Sequence, residues 1–98
     1  MPLPKNQLFI ARVDKNQREI VAAFRKLGFS VAHTHMVKRF CDLVIAKDNI
    51  NHLVEVKGEK GKLTPAEKEF HAIWKAPIHI IRSVEDVLHF CKWHDTLI

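Results

Sequence analysis

Ninety-eight residues, 47% hydrophobic and 28% charged with only three Gly and four Pro, suffice for one small domain with a single core and exclude a low-complexity or disordered chain. A formal charge of +5 and a pI near 9.5 favour an anionic partner, because a positive field draws in a phosphate backbone. No run approaches the roughly 20 apolar residues of a membrane span, Met1-Pro2-Leu3-Pro4-Lys5 lacks the apolar core of a signal peptide, and Cys41 and Cys91 form neither a CxxC pair nor a disulfide framework, so a soluble, intracellular protein with no membrane partner is expected.

Residues 1–12 read as an N-terminal extension whose Leu8-Phe9-Ile10 is apolar enough to pack on the domain or on a partner chain. From Asp14 the pattern turns helical. Asp14 is a fair N-cap, Ile20, Ala23, Phe24 and Leu27 recur at three-to-four spacing, and Gly28 ends the segment. Gln17, Arg18 and Glu19 occupy the first turns, and on these residues alone Glu19 is a favourable charge near a helix N-terminus. Residues 29–36 alternate as a strand with His33 and His35 on one face. The seven histidines, at 33, 35, 52, 71, 79, 89 and 94, include no HxxxH helix and no paired cysteine ligands, which favours a solvated or phosphate-contacting role over a transition-metal site.

Residues 41–62, CDLVIAKDNINHLVEVKGEKGK, carry the most chemistry. They read as two strands, 41–47 and 52–58, joined through Asp48-Asn49-Ile50-Asn51. Closing the hairpin with Lys47 opposite His52 sets Asp42 opposite Lys57 and Val44 opposite Glu55. Side chains alternate along a strand, so Asp42, Glu55 and Lys57 share one face while Leu43, Ile45, Val54 and Val56 share the other. Two carboxylates a strand apart repel when both are ionised, and a hard divalent cation with oxygen ligands relieves that repulsion while leaving positions for water and phosphate. Such a metal lowers the pKa of a bound water and offsets charge on phosphorus oxygens, with Lys57 holding the water or phosphate as a compact point charge. The plain alternative is a set of cross-strand ion pairs, each contributing about 0.2–1 kcal/mol. Against it, Leu-Val-Ile and Leu-Val-x-Val bracket the charges as in a strand covered on both faces.

Next comes a basic, glycine-punctuated loop, Gly58-Glu59-Lys60-Gly61-Lys62, and a helix start with Thr64 as N-cap, Pro65 in first position and Glu67 closing a capping box. Phe70, Ile73 and Trp74 supply that helix with an apolar stripe, and the loop and helix N-terminus together offer a phosphate cradle. Residues 76–82 read as a final strand. Ser83 caps a last helix over residues 84–93, with Val84, Val87, Leu88 and Cys91 facing inward. The order αβββαβα, without linker or repeat, predicts one α/β domain built on a mixed sheet flanked by helices, its last strand joined by a crossover.

The spacing of Asp42, twelve intervening residues and Glu55-Val56-Lys57 is the core signature of the PD-(D/E)XK nucleases. With DKNQREIVAAFRKLGFSV, CDLVI, LVEVKGEKGKLTPAEKEFHAIW and IIRSVEDVL in that order, residues 14–90 resemble the VRR-NUC branch, the virus-type replication-repair nucleases, in short stand-alone form. The resemblance implies a restriction-endonuclease-like core, with Asp42 and Glu55 as metal ligands, the Val56 carbonyl as a further ligand, Glu19 completing the site and Lys57 assisting catalysis. It implies Mg2+ or Mn2+ and cleavage of DNA phosphodiester bonds by homodimers acting on branched DNA such as four-way junctions, in the cytoplasm of a bacterial or phage-infected cell. Lys38, Arg39, Lys60 and Lys62 are the expected phosphate contacts, with Gln17 and Glu67 as accessory groups. The chain departs from the family where Gly-x-Pro usually precedes the Asp, having Arg39-Phe40-Cys41, and where Glu67 replaces a usual Gln. The rival expectation is a basic DNA-binding module with a nuclease-like fold and no activity; a third is a nuclease acting on RNA.

Overall fold

The computed structural model describes the backbone of residues 5–98 and the side chains of residues 15–98. Helix α1 (Lys5–Lys26) is followed by strands β1 (Ser30–His33), β2 (Leu43–Lys47) and β3 (Ile50–Val56), helix α2 (Pro65–Ile73), strand β4 (Ile78–Ile81) and helix α3 (Val84–Asp95). The four strands form one sheet in the order β1-β2-β3-β4, with β1–β2 and β2–β3 antiparallel and β3–β4 parallel. The element order is the expected one, and α2 is the crossover that a parallel pair requires.

Helix α1 starts at Lys5, so Asp14 lies inside it and is not its cap, and residues 5–12 belong to the helix rather than to a separate extension. The reason is compositional: between Pro4 and Gly28 there is no Gly or Pro to interrupt the hydrogen-bond ladder. The expected packing of Leu8-Phe9-Ile10, and Met1–Pro4 altogether, lie outside the described residues. At the other end Gly28, with φ 94°, supplies the left-handed turn, and the Lys47 ammonium donates to the Leu27 carbonyl at 2.9 Å.

The β2–β3 hairpin differs from the expected closure. Asp48 (φ 57°) and Asn49 (φ 64°) both take the left-handed conformation and make a two-residue turn, pairing Lys47 with Ile50 instead of His52. Asp42 thereby comes level with Glu55 rather than Lys57, and Val44 pairs with Leu53 rather than Glu55. The slide is two residues, and side-chain direction has a period of two, so every residue keeps its face.

One face of the sheet carries Leu43, Ile45, Val54 and Val56 into a core completed by Ile20, Val21 and Phe24 of α1 and Val87 and Phe90 of α3. The rings of Phe24, Phe29 and Phe90 meet edge-on or tilted with centroids 5.5–5.8 Å apart, contacts worth about 0.5–1.5 kcal/mol each beyond their burial. Phe90 and His94 also turn α3 from its expected orientation: Val87 is buried and Cys91 half-buried, but Val84 is exposed and Leu88 is 47% exposed. On α2, Phe70 is buried while Ile73 is 69% exposed and Trp74 is exposed, so the stripe expected there is only partly covered.

The same core holds a chain of polar groups. His94 Nε2 lies 2.9 Å from Asp48 Oδ2, and His94 Nδ1 lies 2.8 Å from His52 Nε2. A carboxylate only accepts, so His94 donates from Nε2, and the second contact joins one ring nitrogen of His94 to one of His52. The hairpin turn, β3 and α3 are thereby tied through one line of hydrogen bonds. Burial first, then His79 and His94, push His52 from its usual 6.5 down to about 4. Among the described residues no helix is long and apolar enough to cross a membrane.

Candidate functional site

Strand β3 ends on the opposite face from the core. Past Val56 the Lys57 amide donates to the Ile81 carbonyl at 3.1 Å, extending the parallel ladder, so Glu55 and Lys57 sit at the carboxyl ends of two parallel strands. Ligands of open α/β sheets bind at that end. Asp42 enters from the start of β2. Its amide donates to Val54 O at 3.1 Å and its Oδ2 accepts the Val56 amide at 2.8 Å, which fixes the carboxylate against β3.

Glu55 is 1% exposed, and its Oε2 has no hydrogen-bond partner. Burial above all, then a hydrogen bond to Glu67 and the charge of Asp42, push its carboxyl up to about 8. Asp42 is raised by burial too, with the Val56 amide acting the other way. Glu67 moves in the opposite sense: burial works against its charge, but hydrogen bonds from Glu55, Lys57 and the Thr64 amide outweigh it and hold the carboxyl down to about 2. Three carboxyl groups and the Lys57 ammonium thus form one interacting group. Asp42, Glu55 and Glu67 line a cavity of about 230 Å³ together with His35, residues 37–40, Ala66 and Phe70.

The surrounding structure holds Lys57 from several sides. Its ammonium donates to Glu67 Oε1, the same oxygen that accepts the Thr64 amide at 2.8 Å in a complete capping box. Asn16 Nδ2 donates to Lys57 O at 3.0 Å and to Arg82 O at 3.3 Å, so one amide on α1 bridges the ends of β3 and β4. The Arg82 guanidinium donates to Gly58 O at 2.7 Å and also to Gly61 O, pinning the glycine loop after β3. Gly61 fits closely in that loop, where a Cβ would lie 3.3 Å from Gly58 N and 3.4 Å from Lys57 Cβ.

The expected site residues divide into two sets. Asp42, Glu55 and Lys57 come together with Val56 between the last two, and Glu67 joins them more intimately than an accessory role suggests. Glu19 does not join. It is exposed on α1, 3.9 Å from the Lys15 ammonium one turn away, and Gln17 is half-buried without a hydrogen bond to the cluster. Lys38 and Arg39 are exposed on the loop between β1 and β2, whose neck is closed by Thr34 Oγ1 donating to Cys41 O at 2.8 Å. Arg39 has φ 58°, a left-handed backbone uncommon for a residue with a side chain. Lys60 and Lys62 are exposed on the pinned glycine loop. Asn16 and Arg82 were missed. The only sequence signal for Asn16 was its place one turn before Glu19, and Arg82 read merely as the end of a strand.

Among the described residues no three His, Cys, Asp or Glu side chains are gathered around a single point as a complete metal cage. The donor set that is present, the fixed Asp42 carboxylate and the open oxygen of buried Glu55, fits a hard divalent cation that keeps water or phosphate for its remaining ligands. No protein-family model matches the chain, and no curated protein or solved structure matches it.

Proposed function

We propose that the chain is a divalent-metal-dependent DNA endonuclease with a PD-(D/E)XK, VRR-NUC-like core. The observation that carries this reading is Glu55, a carboxyl 1% exposed with one oxygen unpartnered beside a second, oriented carboxylate and an ammonium. Buried polar atoms are normally satisfied, and an oxygen left open in such company is what a ligand would complete. Mg2+ or Mn2+ held by Asp42 and Glu55, with the Val56 carbonyl as a further ligand, would lower the pKa of a bound water and offset charge on the phosphorus oxygens. Asp42 is kept in its orientation by the Val56 amide. Lys57 holds the attacking water or a nonbridging phosphate oxygen, and Glu67 fixes the reach of its ammonium. The water oxygen bonds to phosphorus, one ester P–O bond breaks, and the departing oxygen takes up a proton. Glu19 has no ligand role in this reading.

Lys38, Arg39, Lys60 and Lys62 supply exposed cations along the path of a strand. The proposal extends to a homodimer on branched DNA such as a four-way junction, whose symmetry a two-fold dimer matches. Its site of action in this reading is the cytoplasm. The test is incubation of the purified protein with labelled four-way junction, duplex and single strand, as DNA and as RNA, with Mg2+, Mn2+ or EDTA. Metal-dependent cleavage that disappears in Lys57→Ala while folding and binding persist supports the enzyme. Salt-sensitive binding that ignores EDTA and Glu55→Gln, with no cleavage of any substrate, overturns it in favour of a binding module.

A further inference from the structure

We infer that the cavity beside Asp42 and Glu55 is a subsite for a single unstacked nucleotide, so that the chain acts where a base can leave its stack, as at a branch point or in an unpaired stretch, rather than on continuous duplex. The inference rests on the nuclease reading of the same site and adds the form of DNA it accepts. Its first support is size. The cavity of about 230 Å³ lies below the roughly 300–1,000 Å³ of sites for drug-sized ligands. It therefore suits a single small ring or phosphate rather than a drug-sized ligand.

The second support is the chemistry of the walls. Phe40 and Phe70 form one side, their centroids 5.5 Å apart and their planes inclined at 63°, and Trp74 backs both at 5.9 and 5.4 Å. Edge-on packing braces each ring without stacking on it. Phe40 remains half-buried at the cavity, an aromatic wall of the kind that nucleobases stack on whatever their sequence. His35 and Arg39, both exposed, line the same cavity and offer donors to a base edge or a phosphate. The third support is depth. Asp42 and Glu55 line the same cavity, and Glu55 is almost fully enclosed, so a phosphate must enter the cavity to reach it. A base held in its stack keeps its phosphate outside, whereas an unpaired nucleotide turned into the cavity carries the adjoining phosphate down with it.

The experiment uses the full chain and an oligonucleotide with one 2-aminopurine, either unpaired in a single strand or fully paired in a duplex. Titrated in EDTA, the unpaired probe is expected to change fluorescence on binding and the paired probe to change little. Phe40→Leu, which keeps apolar volume but removes the ring, is expected to weaken binding of the unpaired probe about tenfold, with no change for the duplex. Phe70→Leu, checked for an unchanged melting temperature, serves as the second variant. With Mg2+, cleavage is expected beside the unpaired nucleotide. Equal binding and cutting of both probes, or an unpaired probe indifferent to both substitutions, overturns the subsite while leaving the nuclease intact. Selective binding in EDTA with no cleavage in Mg2+ or Mn2+ supports the subsite and overturns the nuclease.

Discussion

Strand β3 carries two buried polar groups three residues apart, and they are treated in opposite ways. His52 faces the core and ends a line of hydrogen bonds through His94 to Asp48. Glu55 faces the other side, where Asp42, Lys57 and Glu67 crowd it and one of its oxygens has no partner. The first cluster is closed upon itself and ties turn, strand and helix together. The second is braced from outside by the Val56 amide, the Thr64 cap and Asn16, yet open at its centre. A satisfied polar cluster stabilises a fold; a buried carboxyl held open by a rigid frame costs stability and makes sense as part of a working site.

The comparison is most sharply tested by Lys57→Ala, which should reduce metal-dependent cleavage by about a hundredfold or more in a single-turnover assay while the circular dichroism melt stays near that of the parent. A large fall in melting temperature with unchanged cleavage would make the open cluster structural after all. In the closed cluster, His94→Phe keeps a ring of similar bulk but leaves buried His52 Nε2 without its hydrogen-bond partner. A loss of about 1–3 kcal/mol is expected in urea unfolding, with cleavage per folded molecule unchanged.

The closed cluster also sets the acid limit. His52 lies at about 4 in the folded chain against an ordinary 6.5, so its contribution is full above pH 6.5 and declines as the pH falls towards 4. The shift corresponds to up to about 3 kcal/mol, readable as a falling melting temperature over that window. Thr64→Ala removes the N-cap whose box shares Glu67 with Lys57. It should cost about 1 kcal/mol, roughly 4–8 °C in a domain of this size, together with a smaller loss of cleavage. Smallest of all is Glu19→Gln, expected to move stability by less than about 0.5 kcal/mol and cleavage less than about twofold. A large activity loss there would return Glu19 to the ligand set.

Much of this was legible because period-two alternation is robust. The face shared by Asp42, Glu55 and Lys57 survived a hairpin closure misjudged by two residues, since only an odd slip exchanges faces. The cap at Thr64 was legible from Thr-Pro-Ala-Glu, a local signal that needs no tertiary context. The two-residue turn was not, because Asp-Asn lacks the glycine that usually announces left-handed pairs, and Asp48 gains a compensating bond to His94 from 46 residues away. The inward face of α3 was misread for a related reason: His94 reads as polar, and its burial depends on partners in β3 and the hairpin turn. Asn16 and Arg82 act through backbone carbonyls distant in sequence, and composition carries no trace of such bonds.

The Arg82 clamp has a consequence for the order in which a working molecule is made. The proposed metal ligands and Lys57 are all encoded by residue 57, but the guanidinium that tethers the following loop is attached to the end of the last strand. A nascent chain halted before residue 78 would own its acidic pair and its lysine and still lack the partner strand that steadies them. The acidic pair is therefore steadied only once β4 and Arg82 have emerged and docked against β3.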